Sequence, residues 1–352
     1  MERALYDPVT GFYVGAGRAG RRGDFLTSPE VGPLFGALVA ERVDREWERV
    51  GRPDPFVIVD AGAGPGTLAR SVALAAPRCA EAMRWVSVEI SAAQRALHGA
   101  HLDGWAGDLG DEELARFIVS SGPGPRFASS AEMPGSFIGV VIANELLDNL
   151  PFDIVRATPD GTELLIVVDE GQGSETRPVD LPDEVAALLV PVPHGTWVPW
   201  MHRARRWVVD TVGRIAGGSL IVLDYGASTR ELAARGPFGW LRTYTSHERG
   251  SDPFDGPGTR DITADVDIDQ LSLDRRPDRV TTQAEWSTDL GIDALVDEGR
   301  RLWHERATAP DVVALRGRSR VGEAEALRDP SGLGAYVVLE WHVPVTGAEA
   351  DR

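Results

Sequence analysis

Three alternating glycines follow an aspartate at the end of a short apolar run. Residues 56–59 read Phe-Val-Ile-Val, and residues 60–68 read Asp-Ala-Gly-Ala-Gly-Pro-Gly-Thr-Leu. The apolar run predicts a strand buried on both faces of a sheet, and the glycines predict a tight turn into a helix. Glycines there let a ligand approach the backbone, and the helix N-terminus offers free N–H groups. The predicted cofactor-binding residues of this segment are Asp60, Gly62, Gly64 and Gly66.

Two cofactors compete for this turn. A dinucleotide turn usually has the spacing Gly-x-Gly-x-x-Gly, whereas the glycines here follow Gly-x-Gly-x-Gly. An acid at the strand end followed by this second spacing is the pattern of S-adenosylmethionine (SAM) binding. An aspartate beside the turn suits a cofactor that carries an ammonium group and would repel a pyrophosphate. The pattern favours SAM over NAD, and a purely structural turn is the third alternative.

Further acids follow the next two predicted strands. Glu89 comes directly after the apolar run 85–88, where a carboxylate can accept hydrogen bonds from both ribose hydroxyls. Asp108 and Leu109 follow a weaker predicted strand over 102–106, at a position that often contacts adenine in nucleotide-binding sheets. We therefore predict that Glu89, Asp108 and Leu109 bind the cofactor, while Asp108 could equally be an acid in a surface turn.

The longest apolar run of the predicted sheet, residues 137–143, is followed by Asn144, Glu145 and, after two leucines, Asp148. Ligands of doubly wound sheets lie at the carboxyl ends of the strands, so these side chains should face the reacting group. Carboxylates there can hold a guanidinium by bidentate hydrogen bonds and orient its nitrogen. We predict catalytic roles for all three, and the alternative is a helix start with favourable first-turn acids.

Tyr225 is the fourth predicted catalytic residue. It follows Asp224 at the end of another apolar run, residues 219–223. This position again faces the ligand edge of a doubly wound sheet. Tyr225 could orient a nucleophile, and a buried structural tyrosine is the equal alternative.

Polar residues near the N-terminus could cover the cofactor. Thr27 and Ser28 precede the helix that Pro33 is expected to begin. With Asp24 they could form a lid that excludes water from the reaction. The alternative is that Thr27 or Ser28 caps the helix.

Alternating strands and helical patterns organise the chain around these residues. The predicted buried strands lie near 56–59, 85–88, 102–106, 137–143 and 219–223. Helical patterns separate them, which predicts the α/β class with a doubly wound, mainly parallel sheet. Between these strands we expect a loop over 122–135 and a hairpin over 152–169 with its turn at Asp160-Gly161. Helices are expected over 183–216 and 285–328, and strands over 279–282 and 336–341. Residues 226–265 form a polar, Gly/Pro-rich stretch.

Composition excludes several classes of function. The 352 residues carry 36 basic and 54 acidic side chains, a net charge of −18, which predicts no nucleic-acid partner. All 36 basic residues are arginine, so no lysine is available for a Schiff base, a pyridoxal phosphate anchor or a phosphate contact. The single Cys79 excludes disulfides and cysteine-rich zinc sites within the chain, and the histidines lack metal-ligand spacing. We predict no metal.

The sequence also carries no sign of a membrane or export signal. No apolar run approaches the ~20 residues of a membrane span, and residues 1–8 lack the apolar stretch of a targeting segment. We expect a cytoplasmic protein without membrane insertion, and a homodimer stays open.

Several blocks together resemble the MidA-like family of SAM-dependent methyltransferases, which includes the mitochondrial complex I assembly-factor methyltransferases. The blocks are residues 6–13, 23–30, 35–36, 59–68, 144–151, 224–226 and 258–267. Two of these blocks are specific to the family: Gly-Asp-Phe-x-Thr-Ser-Pro-Glu at 23–30 and Asp-x-Thr-Ala-Asp-Val-Asp at 261–267. The glycine turn alone would not be specific to this family.

This resemblance implies a Rossmann-like, seven-stranded class I SAM methyltransferase core with an N-terminal cap and an inserted hairpin and helical subdomain. The implied divisions are 1–52 for the cap and first helix, 53–150 and 219–345 for the core, 151–218 for the inserted subdomain and 346–352 for the tail. The implied activity is methylation of a protein substrate, with an arginine side chain favoured. The alternatives are a non-catalytic assembly factor that binds SAM and an NAD-dependent oxidoreductase.

Overall fold

The computed structural model describes residues 1–7, 10–12, 27–124, 126–168, 173–245, 248–249 and 258–345. The chain forms two compact units. We call the first the sheet unit, which contains residues 26–144, 211–223 and 278–352. The second, residues 1–25, 145–210 and 224–277, we call the hairpin unit. The domain boundaries that the sequence predicts stay predictions.

The described residues form helices and strands that we number in chain order. The α-helices are α1 (Glu2–Tyr6), α2 (Ser28–Val31), α3 (Pro33–Arg49), α4 (Thr67–Ala75), α5 (Ala92–Arg95), α6 (Asp111–Ile118), α7 (Asp183–Leu189), α8 (His202–Arg214), α9 (Thr229–Ala234), α10 (Ile268–Leu271), α11 (Gln283–Asp289), α12 (Ile292–Arg306) and α13 (Val312–Arg328). Short 3₁₀ turns lie at Leu147–Asn149 and Leu333–Ala335. The strands are β1 (Phe56–Ala61), β2 (Met83–Val88), β3 (Trp105–Asp108), β4 (Phe127–Ser130), β5 (Phe137–Asn144), β6 (Asp153–Thr158), β7 (Gly161–Val168), β8 (Gly173–Pro178), β9 (Trp197–Trp200), β10 (Ile215–Asp224), β11 (Gly226–Ala227), β12 (Leu241–Thr245), β13 (Glu248–Arg249), β14 (Asp261–Ala264), β15 (Val266–Asp267), β16 (Arg279–Thr282) and β17 (Val337–Val343).

The sheet unit is built on one sheet with the strand order β16-β17-β10-β5-β1-β2-β4-β3. Neighbouring strands from β10 to β3 pair in parallel, and β16 pairs antiparallel with β17. Every residue of β1 and β2 is buried, which explains why most residues of both strands are apolar. The chain leaves β1 toward β2 on one side and returns to β5 on the other. Ligands of open α/β sheets lie outside the carboxyl ends of the strands at such a switch point.

The α/β class and the mainly parallel sheet are confirmed, but within the described residues this sheet has eight strands where seven are expected. The additional strand, β4, lies in the segment predicted to be a loop. Phe127 and Ala128 are buried, and β4 pairs in parallel with both β2 and β3. This strand contains only two apolar residues and follows a Gly/Pro-rich stretch, so no local pattern predicts it. It is a strand because it pairs with two neighbouring strands.

The long helix α3 has Gly32 at its N-cap position. A side chain from a distant segment accepts one of the free N–H groups in its first turn. This acceptor is Oε2 of Glu323 on α13, which lies 2.8 Å from the backbone nitrogen of Leu34. A Cβ at Gly32 would collide with this carboxyl group. The alternative that Thr27 or Ser28 caps the helix is therefore wrong.

Buried charges join α3 to the sheet. The guanidinium of Arg42 lies 2.9 Å from Glu46 and 3.1 Å from Glu340 on β17. Trp286 on α11 donates to the other oxygen of Glu340 at 2.8 Å. Each buried charge here has a partner, so the loss of one member of the network would leave an unpaired buried ion.

The hairpin unit contains a four-stranded antiparallel sheet with the order β8-β7-β6-β9. The predicted hairpin forms, but Thr158 pairs with Gly161, so its turn residues are Pro159 and Asp160. A small core packs against this sheet. Its buried residues are Val155, Leu189, Val192, Val198 and Ala233.

The region 183–216, predicted to be helical, contains two helices, and a strand that was not predicted separates them. Pro191, Pro193 and Gly195 end the first helical segment. The following β9 is an edge strand and pairs with β6 through residues that include Pro199. Proline is tolerated there because an edge strand has a side without ladder hydrogen bonds.

Within the stretch 226–265, the described residues form short strands and a helix that the Gly/Pro-rich composition does not predict. Strand β12 pairs antiparallel with both β13 and β14. Helix α9 begins with a capping box in which Ser228 and Glu231 exchange hydrogen bonds. Among the helices in the described ranges, none is both long and apolar enough to cross a membrane.

Candidate functional site

The turn between β1 and α4 has positive φ at each of its three glycines. The angles are 73° at Gly62, 51° at Gly64 and 75° at Gly66. Glycine enters this left-handed region without the steric penalty that a Cβ brings. The N–H groups of Gly62 and Ala63 both donate to the carbonyl of Val88, at 2.9 and 3.0 Å. The turn is thus closed onto β2. We call it the glycine turn.

Asp60, the penultimate residue of β1, is a buried acid, and one of its carboxylate oxygens has an open hydrogen-bonding position. It is 3% exposed, and its Oδ2 accepts no hydrogen bond from the residues that the structure describes. Burial, and then the charge of Glu89, raises the pKa of the Asp60 carboxyl to about 7. Buried polar atoms normally have a partner. Asp60 therefore fits a ligand that brings its own donors, such as the ammonium group of SAM.

Glu89 links the glycine turn to the end of β2. Its Oε2 accepts the N–H of Gly64 at 3.1 Å, and its Oε1 accepts the N–H of Ser91 at 2.8 Å. Burial raises the pKa of this carboxyl. Each carboxylate oxygen keeps a further lone pair, so the predicted ribose contact is compatible with these bonds.

His98 also contacts the glycine turn, and sequence reasoning missed it. Its Nε2 lies 2.7 Å from the carbonyl oxygen of Gly64, and its Nδ1 lies 2.5 Å from Oγ of Ser129. The side chain is fully buried, which lowers the pKa of the imidazole. The sequence gives no signal for this contact, because Ser129 lies on the unpredicted strand β4.

Asp108 lies at the end of the edge strand β3 and pairs with an arginine. Both of its carboxylate oxygens lie 3.0 Å from Nε of Arg95. The same guanidinium donates to the backbone carbonyls of Glu89 and Ile90, at 2.7 and 2.9 Å. Arg95 thereby joins Asp108 to the loop after β2. An adenine contact by Asp108 stays a prediction.

Leu109 follows Asp108 and is fixed through its backbone. Its N–H donates to the carbonyl of Ser129 at 2.8 Å. Because β4 lies between β2 and β3, Leu109 is one strand further from β2 than the sequence predicts. Its predicted contact with the cofactor also stays a prediction.

The predicted lid residues are only partly described. Ser28 is fully buried, and its hydroxyl donates to Oε1 of Gln283 at 2.8 Å. Thr27 is the N-cap residue of the short helix α2, and Asp24 lies outside the described residues. Glu30 of the same helix accepts the hydroxyl of Thr67, the first residue of α4, at 3.0 Å. Helix α2 is thus bonded to the helix that follows the glycine turn.

A second unusual turn, which we call the acid turn, follows β5 and comprises residues 145–149. Asn144 is the last residue of β5, and Glu145 after it has a φ of 53°. This left-handed conformation is uncommon for residues other than glycine. Such backbone is kept only where the surrounding contacts impose it, and it is frequent at functional sites.

Asp224 imposes the shape of the acid turn. It is 1% exposed, and its Oδ2 accepts the N–H groups of Leu147 and Asp148 at 2.9 and 3.3 Å. Its Oδ1 accepts the N–H of Tyr225 at 2.9 Å. Burial raises the pKa of Asp224 well above its usual value, and the charges of Asp148 and Glu145 raise it further.

Asp148 is buried within the acid turn. Its Oδ2 accepts the hydroxyl of Thr263 at 2.7 Å, and its Oδ1 accepts the side-chain amide of Asn149 at 3.1 Å. Burial raises the pKa of Asp148 to about 7, and the charge of Asp261 acts in the same direction. Two buried carboxyls, Asp148 and Asp224, therefore lie close enough to oppose each other's ionisation.

Tyr225 lies beside the same group of acids. The guanidinium carbon of Arg242 lies 5.0 Å from the centre of its ring, a cation–π contact. Arg242 also pairs with the buried Asp265. Asp148, Asp224 and Tyr225 are thus brought together in the hairpin unit, whereas Asp60, the glycines and Glu89 are brought together in the sheet unit.

Comparison with known proteins identifies the family. Residues 38–282, more than half of the chain, match the model of a family described as "Putative S-adenosyl-L-methionine-dependent methyltransferase". The fruit fly (Drosophila melanogaster) protein named protein arginine methyltransferase NDUFAF7 homolog, mitochondrial, is 29% identical over 76% of this chain and 63% of its own length. The human NDUFAF7 protein is 27% identical over 77% of this chain and 63% of its own length. The chain thus spans less than two thirds of these curated relatives.

A solved structure matches the whole chain. It is a Burkholderia thailandensis protein, described as a "likely methyl transferase" and bound to S-adenosyl-homocysteine. It is 26% identical, with a TM-score of 0.76 over 100% of this chain and 89% of that chain. The fold and the resemblance to SAM-dependent methyltransferases are confirmed, and the NAD alternative is wrong. The chain, with its glycine turn, its buried Asp60 and its strand-end Glu89, belongs to this family of SAM-dependent methyltransferases.

Proposed function

We propose that this protein transfers the methyl group of SAM to a protein substrate and that the acceptor is an arginine side chain. The observation that carries the proposal is the acid turn, where Glu145 has a φ of 53° directly after β5. The curated relatives are named protein arginine methyltransferases, which supports the same acceptor. Their whole length is not spanned by this chain, so the substrate is inferred from the chemistry of its own residues.

The sheet unit supports the cofactor part of this proposal. The backbone of the glycine turn, the open Oδ2 of Asp60 and the carboxylate of Glu89 would hold SAM. When bound, SAM supplies an electrophilic methyl group on a sulfonium. The Burkholderia protein, which matches over the whole chain, was solved with the product of such a transfer.

The acceptor would be held by the residues that follow β5. Strand β5 is the neighbour of β1, and Ala143 is in register with Ala61, the last residue of β1. Asn144 and Glu145 come next in the chain. The Glu145 carboxylate would accept two N–H groups of a guanidinium and orient one nitrogen for methylation. We propose that Asn144 and Tyr225 help to orient the acceptor.

The charges of the acid turn favour a cationic acceptor. Asp224 and Asp148 have raised pKa values because they are buried and face other acids. A guanidinium near Glu145 would relieve this repulsion, since an opposite charge favours the ionised carboxyls. Asp148, whose oxygens each already accept one hydrogen bond, would contribute charge more than a new contact.

We also infer the kind of partner and the compartment. A net charge of −18 suits a basic, arginine-bearing protein and disfavours nucleic acid. A cytoplasmic location is our inference from the sequence, whereas the curated relatives are named mitochondrial. Fractionation of cells that express the tagged protein would decide the compartment, and sedimentation would show whether it is a homodimer.

The central test is a Glu145→Gln variant. The purified full chain is incubated with radiolabelled SAM and a protein extract, and methylarginine is identified by mass spectrometry. We expect turnover at least about tenfold lower than in the wild type, because the neutral amide no longer pairs with the guanidinium. Affinity for S-adenosyl-homocysteine, measured by calorimetry, should stay unchanged. Glu112→Gln, at an exposed position on α6, is the matched control.

Two results would contradict this function. Normal turnover in Glu145→Gln would show that this carboxylate does not hold the acceptor. A wild-type protein that binds S-adenosyl-homocysteine but methylates no protein in the extract would instead support a non-catalytic assembly factor that binds SAM.

A further inference from the structure

We propose that His98 and Ser129 are positioning residues for the cofactor, because they fix the peptide carbonyl of Gly64 and with it the shape of the glycine turn. This inference rests on SAM binding at that turn, as proposed above. Neither residue belongs to the segments that mark the turn in the sequence. His98 lies after α5, and Ser129 lies on β4.

The backbone of Gly64 is held from both sides. Its N–H donates to Oε2 of Glu89 at 3.1 Å, and its carbonyl oxygen lies 2.7 Å from Nε2 of His98. Gly64 has a φ of 51° and lies between the two other glycines of the turn. A flexible glycine at this place has many alternative conformations. Bonds to both of its polar groups select one of them.

Hydrogen-bond chemistry decides which nitrogen of His98 carries the proton. A carbonyl oxygen can only accept, so Nε2 must donate to Gly64. In the neutral imidazole Nδ1 is then an acceptor, and the hydroxyl of Ser129, 2.5 Å away, must donate to it. Burial lowers the pKa of His98, which agrees with a neutral ring. The resulting chain of donors runs from Ser129 through His98 to Gly64.

The ring also limits the space beside the turn. A Cβ built on Gly66 would lie 3.0 Å from Cδ2 of His98, closer than most real contacts. His98 is fully buried, and so is Ser129. The histidine therefore contacts the glycine turn by packing and by a directed hydrogen bond. These two roles make different predictions for its substitution.

Substitution by asparagine and glutamine separates the two roles. The amide nitrogen of glutamine is the same number of bonds from Cα as Nε2 of histidine, and that of asparagine matches Nδ1. His98→Gln can therefore still donate to Gly64, whereas His98→Asn can reach only toward Ser129. If the hydrogen bond to Gly64 positions the cofactor, glutamine should rescue binding and asparagine should not.

The experiment measures the affinity of the full chain for S-adenosyl-homocysteine by calorimetry, together with the melting temperature. We expect affinity to fall about tenfold in His98→Asn and by no more than about threefold in His98→Gln, from the usual strength of one buried hydrogen bond. Ser129→Ala, which removes only the hydroxyl that orients the ring, should weaken binding about threefold. This variant also keeps the test decisive if His98→Asn does not fold.

Ser87→Ala is the matched control. Ser87 on β2 is buried, is in register with Ser129 and accepts a hydrogen bond from the Trp85 indole. Its loss should lower the melting temperature without changing the affinity for S-adenosyl-homocysteine. Equal affinity losses in His98→Gln and His98→Asn, or unchanged affinity in Ser129→Ala, would overturn the proposal. Absence of binding to the wild type would overturn it too, whereas binding without methyl transfer would reject only the proposed activity.

Discussion

The glycine turn and the acid turn both follow parallel strands of the main sheet and both contain residues with positive φ, but the types of these residues differ. In the glycine turn the positive φ angles belong to residues without a side chain, and the backbone itself is the proposed contact to the ligand. In the acid turn the positive φ belongs to Glu145, whose side chain is the proposed working group. A Cβ makes that conformation less favourable, and Asp224 compensates by accepting the following N–H groups.

The supporting groups differ as well. The backbone of the glycine turn forms hydrogen bonds with two neutral groups, the Val88 carbonyl and the His98 ring, and with the carboxylate of Glu89. Buried carboxyls that oppose each other's ionisation support the acid turn. Changes at the first turn should therefore act on cofactor affinity, and changes at the second should act on turnover and stability.

The largest effect should come from Gly64→Val. A β-branched residue is disfavoured at a φ of 51°, so the glycine turn that is proposed to contact the cofactor would have to change shape. We expect roughly a hundredfold weaker affinity for S-adenosyl-homocysteine, about 2.7 kcal/mol, by calorimetry. Gly135→Val, where the space around a Cβ is open, should bind normally. Affinity within a few-fold of the wild type would mean that this turn is not the cofactor cradle.

Glu89→Ala should have the next largest effect. The variant loses the acceptor for Gly64 and Ser91 and the predicted partner of the ribose hydroxyls. Charge-assisted hydrogen bonds of this kind are worth about 1.5–3 kcal/mol, so affinity should fall about tenfold to hundredfold. Glu81→Ala, an exposed acid just before β2, is the control for the lost charge. Unchanged binding would reject the role of Glu89.

Asp224→Asn tests the acid turn. An amide nitrogen cannot accept, so at least one of the three N–H groups that donate to Asp224 loses its partner, which costs about 1–3 kcal/mol of unfolding free energy. We expect turnover to fall about tenfold while affinity for S-adenosyl-homocysteine is unchanged. Asp267→Asn removes another buried acid that accepts a backbone N–H, from Gln270, and should lower stability without lowering specific turnover. Equal turnover losses in both variants would indicate a general loss of structure.

The smallest effect concerns the pH dependence of Asp60. An aspartate in the unfolded chain loses its proton near pH 4, whereas buried Asp60 keeps it to about pH 7. Between these values the folded state binds more protons, so ionisation lowers stability as the pH rises. The melting temperature of Asp60→Asn, relative to wild type, should rise by a few degrees from pH 4 to 7 and then level off. A difference that does not vary with pH would contradict the raised pKa of Asp60.

Local patterns predict the elements whose burial is uniform along the chain. Strands β1, β2 and β5 are buried along most of their length, so most of their residues are apolar. The patterns fail where a segment becomes a strand only by pairing. Strand β4 has only two apolar residues and becomes a strand by pairing with β2 and β3, and β9 contains a proline that only an edge strand accepts.

Short segments of the sequence are enough to predict the fold class, the glycine turn, the acids at the strand ends and the family, because each of these features depends on residues close together in the chain. The tertiary structure alone decided that His98 supports Gly64, that Glu323 caps α3 and that Asp224 shapes the turn containing Glu145. Each of these bonds joins residues that lie far apart in the sequence. These bonds form only after the strands have paired, so no local residue spacing can predict them.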